Sequence, residues 1–100
     1  MTVVSPATLA RAAEALRGMA YEHRLHVLIL LRAGEATPTA LAEVVPVHVT
    51  ALSHHLRHLV DAGLVRRRRR GRQVFYSLPD EATVRLVDEV LRFVRDAPRA

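Results

Sequence analysis

Apolar residues recur three and four apart over most of the chain, the spacing that lines one side of an α-helix, and give way to strict alternation only once. Leu9, Ala13, Leu16 and Ala20 keep the helical spacing behind Ser5 and Pro6. Ser5 offers an oxygen to the first free N–H groups, and the missing N–H of proline costs nothing in the first turn. This predicts a helix up to Gly18 and Met19. A second helix is predicted from about residue 22 to residue 32, with Leu25, Leu28, Ile29 and the stem of Arg32 inward and Gly34 closing it. Thr37 and Pro38 repeat the cap-then-proline signal, so residues 39–45 read as a short third helix carrying Leu41, Val44 and Val45, broken by Pro46. A fourth begins near His48 or Val49 and runs to Ala62, followed by Gly63 in the position that wants positive φ. Short helix, tight turn and longer helix make a helix-turn-helix.

The alternation falls at residues 65–78, where Val74, Tyr76 and Leu78 interleave with Gln73, Phe75 and Ser77 around Gly71. Two strands joined at a turn are predicted. With Arg70 and Gly71 as the turn, position 69 pairs with 72, 67 with 74 and 65 with 76. Val65, Val74 and Tyr76 then share the core face, Arg67, Arg69 and Arg72 extend it towards the tip, and Arg66 and Arg68 lie opposite with Phe75. Pro79, Asp80 and Glu81 open a last helix, where acids suit the positive end of the dipole. Its apolar residues form two stripes, Val84, Val87, Leu91 and Val94 on one side and Leu86, Val90 and Phe93 on the other. A helix apolar on two sides needs two partners, one of which can be a second subunit. The expected architecture is mainly α, four helices, a small two-stranded hairpin and a fifth helix.

Composition supports that picture and narrows the chemistry. A chain of 100 residues, half of them hydrophobic, is expected to fold as one domain over residues 1–100. Ala and Leu supply 29 residues and aromatics four, which favours close-packed helices over a β-sandwich. The longest unbroken apolar run is the five residues from Val27 to Leu31, so no membrane span and no leader are expected, and the chain reads as cytoplasmic. With no cysteine, thiolate metal sites and cysteine nucleophiles are excluded, and any metal must be held by nitrogen and oxygen. The net charge of +5 is concentrated: residues 63–79 carry six arginines and no acid, while the rest of the chain is close to balanced. All fifteen basic residues are Arg, whose rigid fork of donors suits phosphate and guanine.

On a helical wheel the fourth helix turns Leu52, Leu56 and Leu59 to one side with His55 beside them, and Thr50, Ser53, His54, Arg57 and His58 to the other. That second face is rich in donors and of a size to enter a major groove. A solvated surface is the plainer reading of such a face. The arginines that follow it, Arg67, Arg68, Arg69, Arg70 and Arg72 among them, weigh against that reading, because such a cluster repels itself until a polyanion relieves it. A second group, Glu22, His23 and His26, brings imidazoles three apart and a carboxylate to the start of the second helix, a set able to chelate nickel, cobalt or zinc. An exposed helix surface is the plainer reading there. His54, His58 and Asp61 also share a face, which is assigned first to groove contacts.

Arg24-Leu25 followed by Val27-Leu28, the run from Leu52 to Leu59 with its Ser-His-His-Leu-Arg-His core, Ala62-Gly63-Leu64-Val65, and the run from Gly71 to Leu78 together resemble the ArsR/SmtB family of bacterial winged-helix transcription regulators. The likeness covers roughly residues 9 to 96. It implies a homodimer layered through the first and last helices, the helix-turn-helix in major grooves of double-stranded DNA, and the hairpin as a wing. The sequence departs from the family at His48, where a Ser-like cap is more usual, and at Tyr21-Glu22-His23, where an Asp-Pro-Thr-like segment is common. Many members release DNA on binding a metal, and one recurrent site pairs the last helices. Matched to that site, Asp80 and Asp96 stand at its ends while Ala82 and Phe93 replace its histidines, which leaves two carboxylates without imidazole. An enzyme is not expected, since the chain has no Gly-rich phosphate loop, no nucleophile elbow and no paired carboxylates in an evident cleft. The expectation is a DNA-binding regulator responsive to a divalent metal such as nickel; the alternatives are a regulator with a non-metal signal and a winged-helix module that binds protein.

Overall fold

Ser5 starts the first helix as its sequence implies: its Oγ accepts a hydrogen bond from the Thr8 N–H at 3.1 Å, with Pro6 next in line. The computed structural model describes residues 3–96, and in it the elements follow in the expected order. They are α1 (Pro6–Met19), α2 (Glu22–Arg32), α3 (Pro38–Ala42), α4 (Val49–Asp61), β1 (Arg66–Arg70), β2 (Gln73–Ser77) and α5 (Glu81–Asp96). The fold is a winged helix-turn-helix, mainly helical with one antiparallel hairpin. Among the described residues no helix is long and apolar enough to cross a membrane.

The core is built where α2 and α4 cross. Val27, Leu28 and Leu31 meet Leu52, Leu56 and Leu59, all of them buried, and Leu41, Val45, Leu64, Val65 and Val87 close the sides. Each leucine fully withdrawn from water contributes about 1.5–3 kcal/mol. The inward face of α2 is therefore rotated from the expected one: Leu25 and Ile29 are only half-buried, and Arg32 points outward to Asp88 of α5. Its guanidinium spans both carboxylate oxygens, with Nη2 to Oδ2 at 3.0 Å, and holds the Asp88 carboxyl below the usual range. Gly18 does not simply end α1. A Cβ there would lie 2.9 Å from Leu64 Cδ1 and 3.0 Å from the Ala62 Cβ, so the missing side chain lets α1 approach the end of α4.

Three other expectations are corrected. The third helix spans five residues, and residues 43–45 form a turn that still buries Val45 but leaves Val44 half-exposed. The hairpin pairs Arg67 with Tyr76, Arg69 with Val74 and Arg70 with Gln73, two residues away from the expected register. Gly71, at φ +62°, takes the first central position of the turn and Arg72 the second, the pattern of a type II′ turn, which needs positive φ only at its first central residue. A two-residue shift preserves the alternation, so Arg67 and Arg69 still share a face with Val74 and Tyr76, while Arg72 moves from the strand into the loop. In α5, Val87 packs in the core together with Leu86 and Val90 of the other stripe, and Phe93 and Val94 overhang it, 74% and 67% exposed.

Asp80 caps α5: its Oδ1 accepts from the Thr83 N–H and from the Thr83 hydroxyl, both at 2.9 Å. The backbone N–H is the larger cause, and together they hold the carboxyl below its ordinary 3.8. A carboxyl lowered in the folded state stabilises above the unfolded value and loses that contribution as pH falls through the folded one. Asp80→Ala is therefore expected to lower stability in urea at neutral pH and to match the unsubstituted chain once pH is well below 3.8.

Candidate nucleic-acid interface

Burial of the α4 leucines decides which side of that helix faces water. Thr50, Ser53, His54, Arg57 and His58 are all exposed, on the side away from Leu52, Leu56 and Leu59. The unusual residue at the helix start still caps it: His48 Nδ1 accepts from the Thr50 N–H at 3.2 Å, which in a neutral ring leaves the proton on Nε2.

The hairpin lies beside this face and is pinned to the body. Ala36, in the α2–α3 loop, exchanges two backbone hydrogen bonds with Tyr76, N–H to O at 3.0 and 2.8 Å. Next to it, Glu35 pairs with Arg70, whose guanidinium also stacks 4.0 Å over the Phe75 ring. Neither interaction was visible in the sequence, because Glu35 and Arg70 are 35 residues apart and the alternation of β2 does not say which loop it meets.

These interactions divide the arginines. Arg70 is engaged in holding the hairpin, Arg69 donates from Nε to Gly71 O at 3.2 Å, and Arg66 reaches Pro79 O at 3.4 Å. Arg67, Arg68 and Arg72 are exposed and make no ion pair among the described residues. Arg67 joins Ser53, Arg57 and Asp61 around a cleft of about 330 Å³ between α4 and the hairpin, with the half-buried Tyr76 on its wall. Arg72 and Gln73 line a second groove of about 450 Å³ with Thr37 and Thr39 at the start of α3. The polar face of α4, the cleft and the hairpin tip thus offer guanidinium, hydroxyl and imidazole donors side by side. That arrangement suits a polyanion whose charges repeat along a groove.

Among the described residues no three His, Asp or Glu side chains come together to hold a metal ion, so Glu22, His23 and His26 do not form one three-ligand group. His23 instead faces α4, its ring 5.9 Å from that of His55 and 6.2 Å from that of Tyr21. Tyr21 completes the cluster at 5.1 Å from His55, and Arg24 lies 5.3 Å over the Tyr21 ring while donating to Arg17 O. Burial first, and then Arg24, pushes the His55 imidazole below its ordinary value.

A family described as a helix-turn-helix domain matches residues 19–68. The HTH-type transcriptional regulator NmtR of Mycobacterium tuberculosis is 40% identical over 82 residues, covering 82% of this chain and 68% of its own length. A transcriptional repressor SmtB homolog of Synechocystis is 35% identical over 85 residues, covering 85% of this chain and 64% of its own length, so the chain spans about two thirds of these relatives. Among solved structures, the homodimeric winged helix-turn-helix DNA-binding domain of a possible ArsR-family transcriptional regulator from Mycobacterium bovis superposes with a TM-score of 0.87 at 29% identity, over 99% of this chain and 94% of that one.

If the hairpin depends on its bridge to the α2–α3 loop, removing one bridging N–H should loosen it selectively. Ala36→Pro deletes the donor to Tyr76 O. Amide hydrogen exchange is expected to quicken across β1 and β2 while the buried turns of α2 and α4 keep their protection.

Proposed function

Because the chain belongs to the ArsR/SmtB family of winged helix-turn-helix transcriptional regulators, we propose that it is a cytoplasmic, sequence-specific regulator that binds double-stranded DNA as a homodimer on an inverted-repeat operator. The observation that carries this reading is the exposed α4 face beside the arginine hairpin. Ser53, Arg57 and the neighbouring Thr50, His54 and His58 are assigned to base edges, where an Arg fork suits guanine. Arg67, Arg68 and Arg72 are assigned to phosphates, with Arg69 and Arg70 shaping the wing that presents them. Electrostatics weigh against a protein-binding module: consecutive exposed arginines cost self-repulsion that a phosphate backbone removes and an ordinary protein partner does not require.

The dimer is assigned to the first and last helices. Leu9 and Leu16 of α1 are each 61% exposed, and Phe93 and Val94 overhang the core at the end of α5. Two copies that cover these residues remove from water the apolar surface a lone chain exposes.

For the signal, this reading takes a borderline divalent cation, nickel before cobalt or zinc. Its support is chemical, six histidines and no thiol. The last-helix site implied by the family does not fit: Asp80 Oδ1 is occupied in capping α5, and Ala82 and Phe93 bring no donor.

Arg67→Ala combined with Arg68→Ala is expected to weaken binding to operator and random duplexes about equally, and to lower the slope of log affinity against log salt by roughly 0.9 for each phosphate no longer neutralised. Ser53→Ala or Arg57→Ala should instead reduce discrimination between the two duplexes, by about 1–3 kcal/mol where a bidentate hydrogen bond to a base is removed. Fluorescence anisotropy over a salt series separates these outcomes, and an unaltered slope in the double variant contradicts the wing assignment. Sedimentation should find a dimer at micromolar concentration and a folded monomer for Leu16→Glu with Phe93→Glu, since both side chains are exposed and leave the core intact.

A further inference from the structure

Two histidines on different helices lie close together at the junction of α2 and α4. His23 stands in the first turn of α2 and His55 in the middle of α4, both half-buried, with ring centroids 5.9 Å apart and planes inclined at 45°. With a metal–nitrogen bond of about 2.0–2.1 Å and a ring nitrogen about 1.2 Å from its centroid, two imidazoles on one ion hold their centroids about 5 Å apart at the tetrahedral angle and about 6.5 Å apart when opposed. The observed separation lies between these limits, so the rings are spaced to share an ion once a nitrogen of each is turned towards it. From this geometry we propose that His23 and His55 form a two-imidazole site for a borderline divalent cation, clamping the start of α2 to the DNA-facing helix α4.

The surroundings suit an open site. Tyr21 flanks both rings and is 53% exposed, so solvent reaches the cluster and can supply water for the remaining coordination positions. Arg24 carries a nearby positive charge that acts on His55 and opposes a bound cation, while its Nη2 donates to Arg17 O at the end of α1. Imidazole without thiolate selects nickel, cobalt or zinc over softer ions. The site differs from a chelate along α2 by His23 and His26, because its second ligand belongs to the helix that carries Ser53, His54, Arg57 and His58 on its outer face. An ion bound there fixes the rotation of that face relative to α2, and by linkage the affinity of cation and operator must each depend on the other. This inference rests on the proposed cation signal and gives it a location.

Calorimetry with nickel and visible absorption with cobalt, on the full chain, test it. One ion per chain is expected, with affinity falling roughly tenfold or more in His23→Gln and in His55→Gln, since even outer-shell losses reach that scale. His26→Gln should bind as the unsubstituted chain does. His23 lies at a helix start, so its variant remains informative if His55→Gln alters the fold, which circular dichroism checks. Nickel binding that survives both substitutions overturns this site and leaves a cation signal held elsewhere. No binding by the unsubstituted chain overturns both the site and the cation signal. Operator affinity measured without metal tests the DNA-binding reading separately.

Discussion

The structure depends on the burial of Leu52, Leu56 and Leu59 against Val27, Leu28 and Leu31. A helix has one rotation that hides a given stripe, so hiding these leucines fixes what α4 shows to solvent. Deleting one of them would remove its transfer free energy and leave a cavity, together about 2–5 kcal/mol, a large part of the stability of a domain this size. The polar side chains on the outer face contribute little to folding. Their orientation is inherited from the core.

The hairpin poses the opposite problem, because β1 consists of five exposed arginines and has little apolar surface of its own to bury. It is held by what β2 and the loop supply. Tyr76 bridges to Ala36 and packs against the core, Arg70 is neutralised by Glu35 and stacked on Phe75, and the remaining arginines project from a strand that is already fixed. Arg70, with Arg66 and Arg69 held to backbone oxygens, is thus used in mounting the arginines left free. Arg67 lies close enough to Ser53 and Arg57 to share a cleft with them, which joins the α4 face and the hairpin into one continuous surface.

Much of this was legible in the sequence for reasons that are local. Caps with a following proline marked the starts of α1 and α3, positive-φ glycines marked the end of α4 and the hairpin turn, and the leucine spacing of α4 separated its two faces. What stayed hidden was set by distant partners. The rotation of α2 depends on packing against several elements at once, so Val27 and Leu31 displaced Leu25 and Ile29 from the centre. The hairpin register turned on whether Gly71 came first or second in the turn, which alternation alone cannot decide. His23 also meets His55 across the fold, a contact that spacing along α2 does not show.

The central claim is that two copies of the α4 face and its hairpin read DNA together. Hydroxyl-radical footprinting on a duplex selected by the protein from a random pool tests it most directly. The account predicts two protected tracts related by an inverted repeat, centred one helical turn or about 34–36 Å apart, as two-fold symmetric recognition helices require. A single protected tract, or uniform protection that does not depend on sequence, would contradict it.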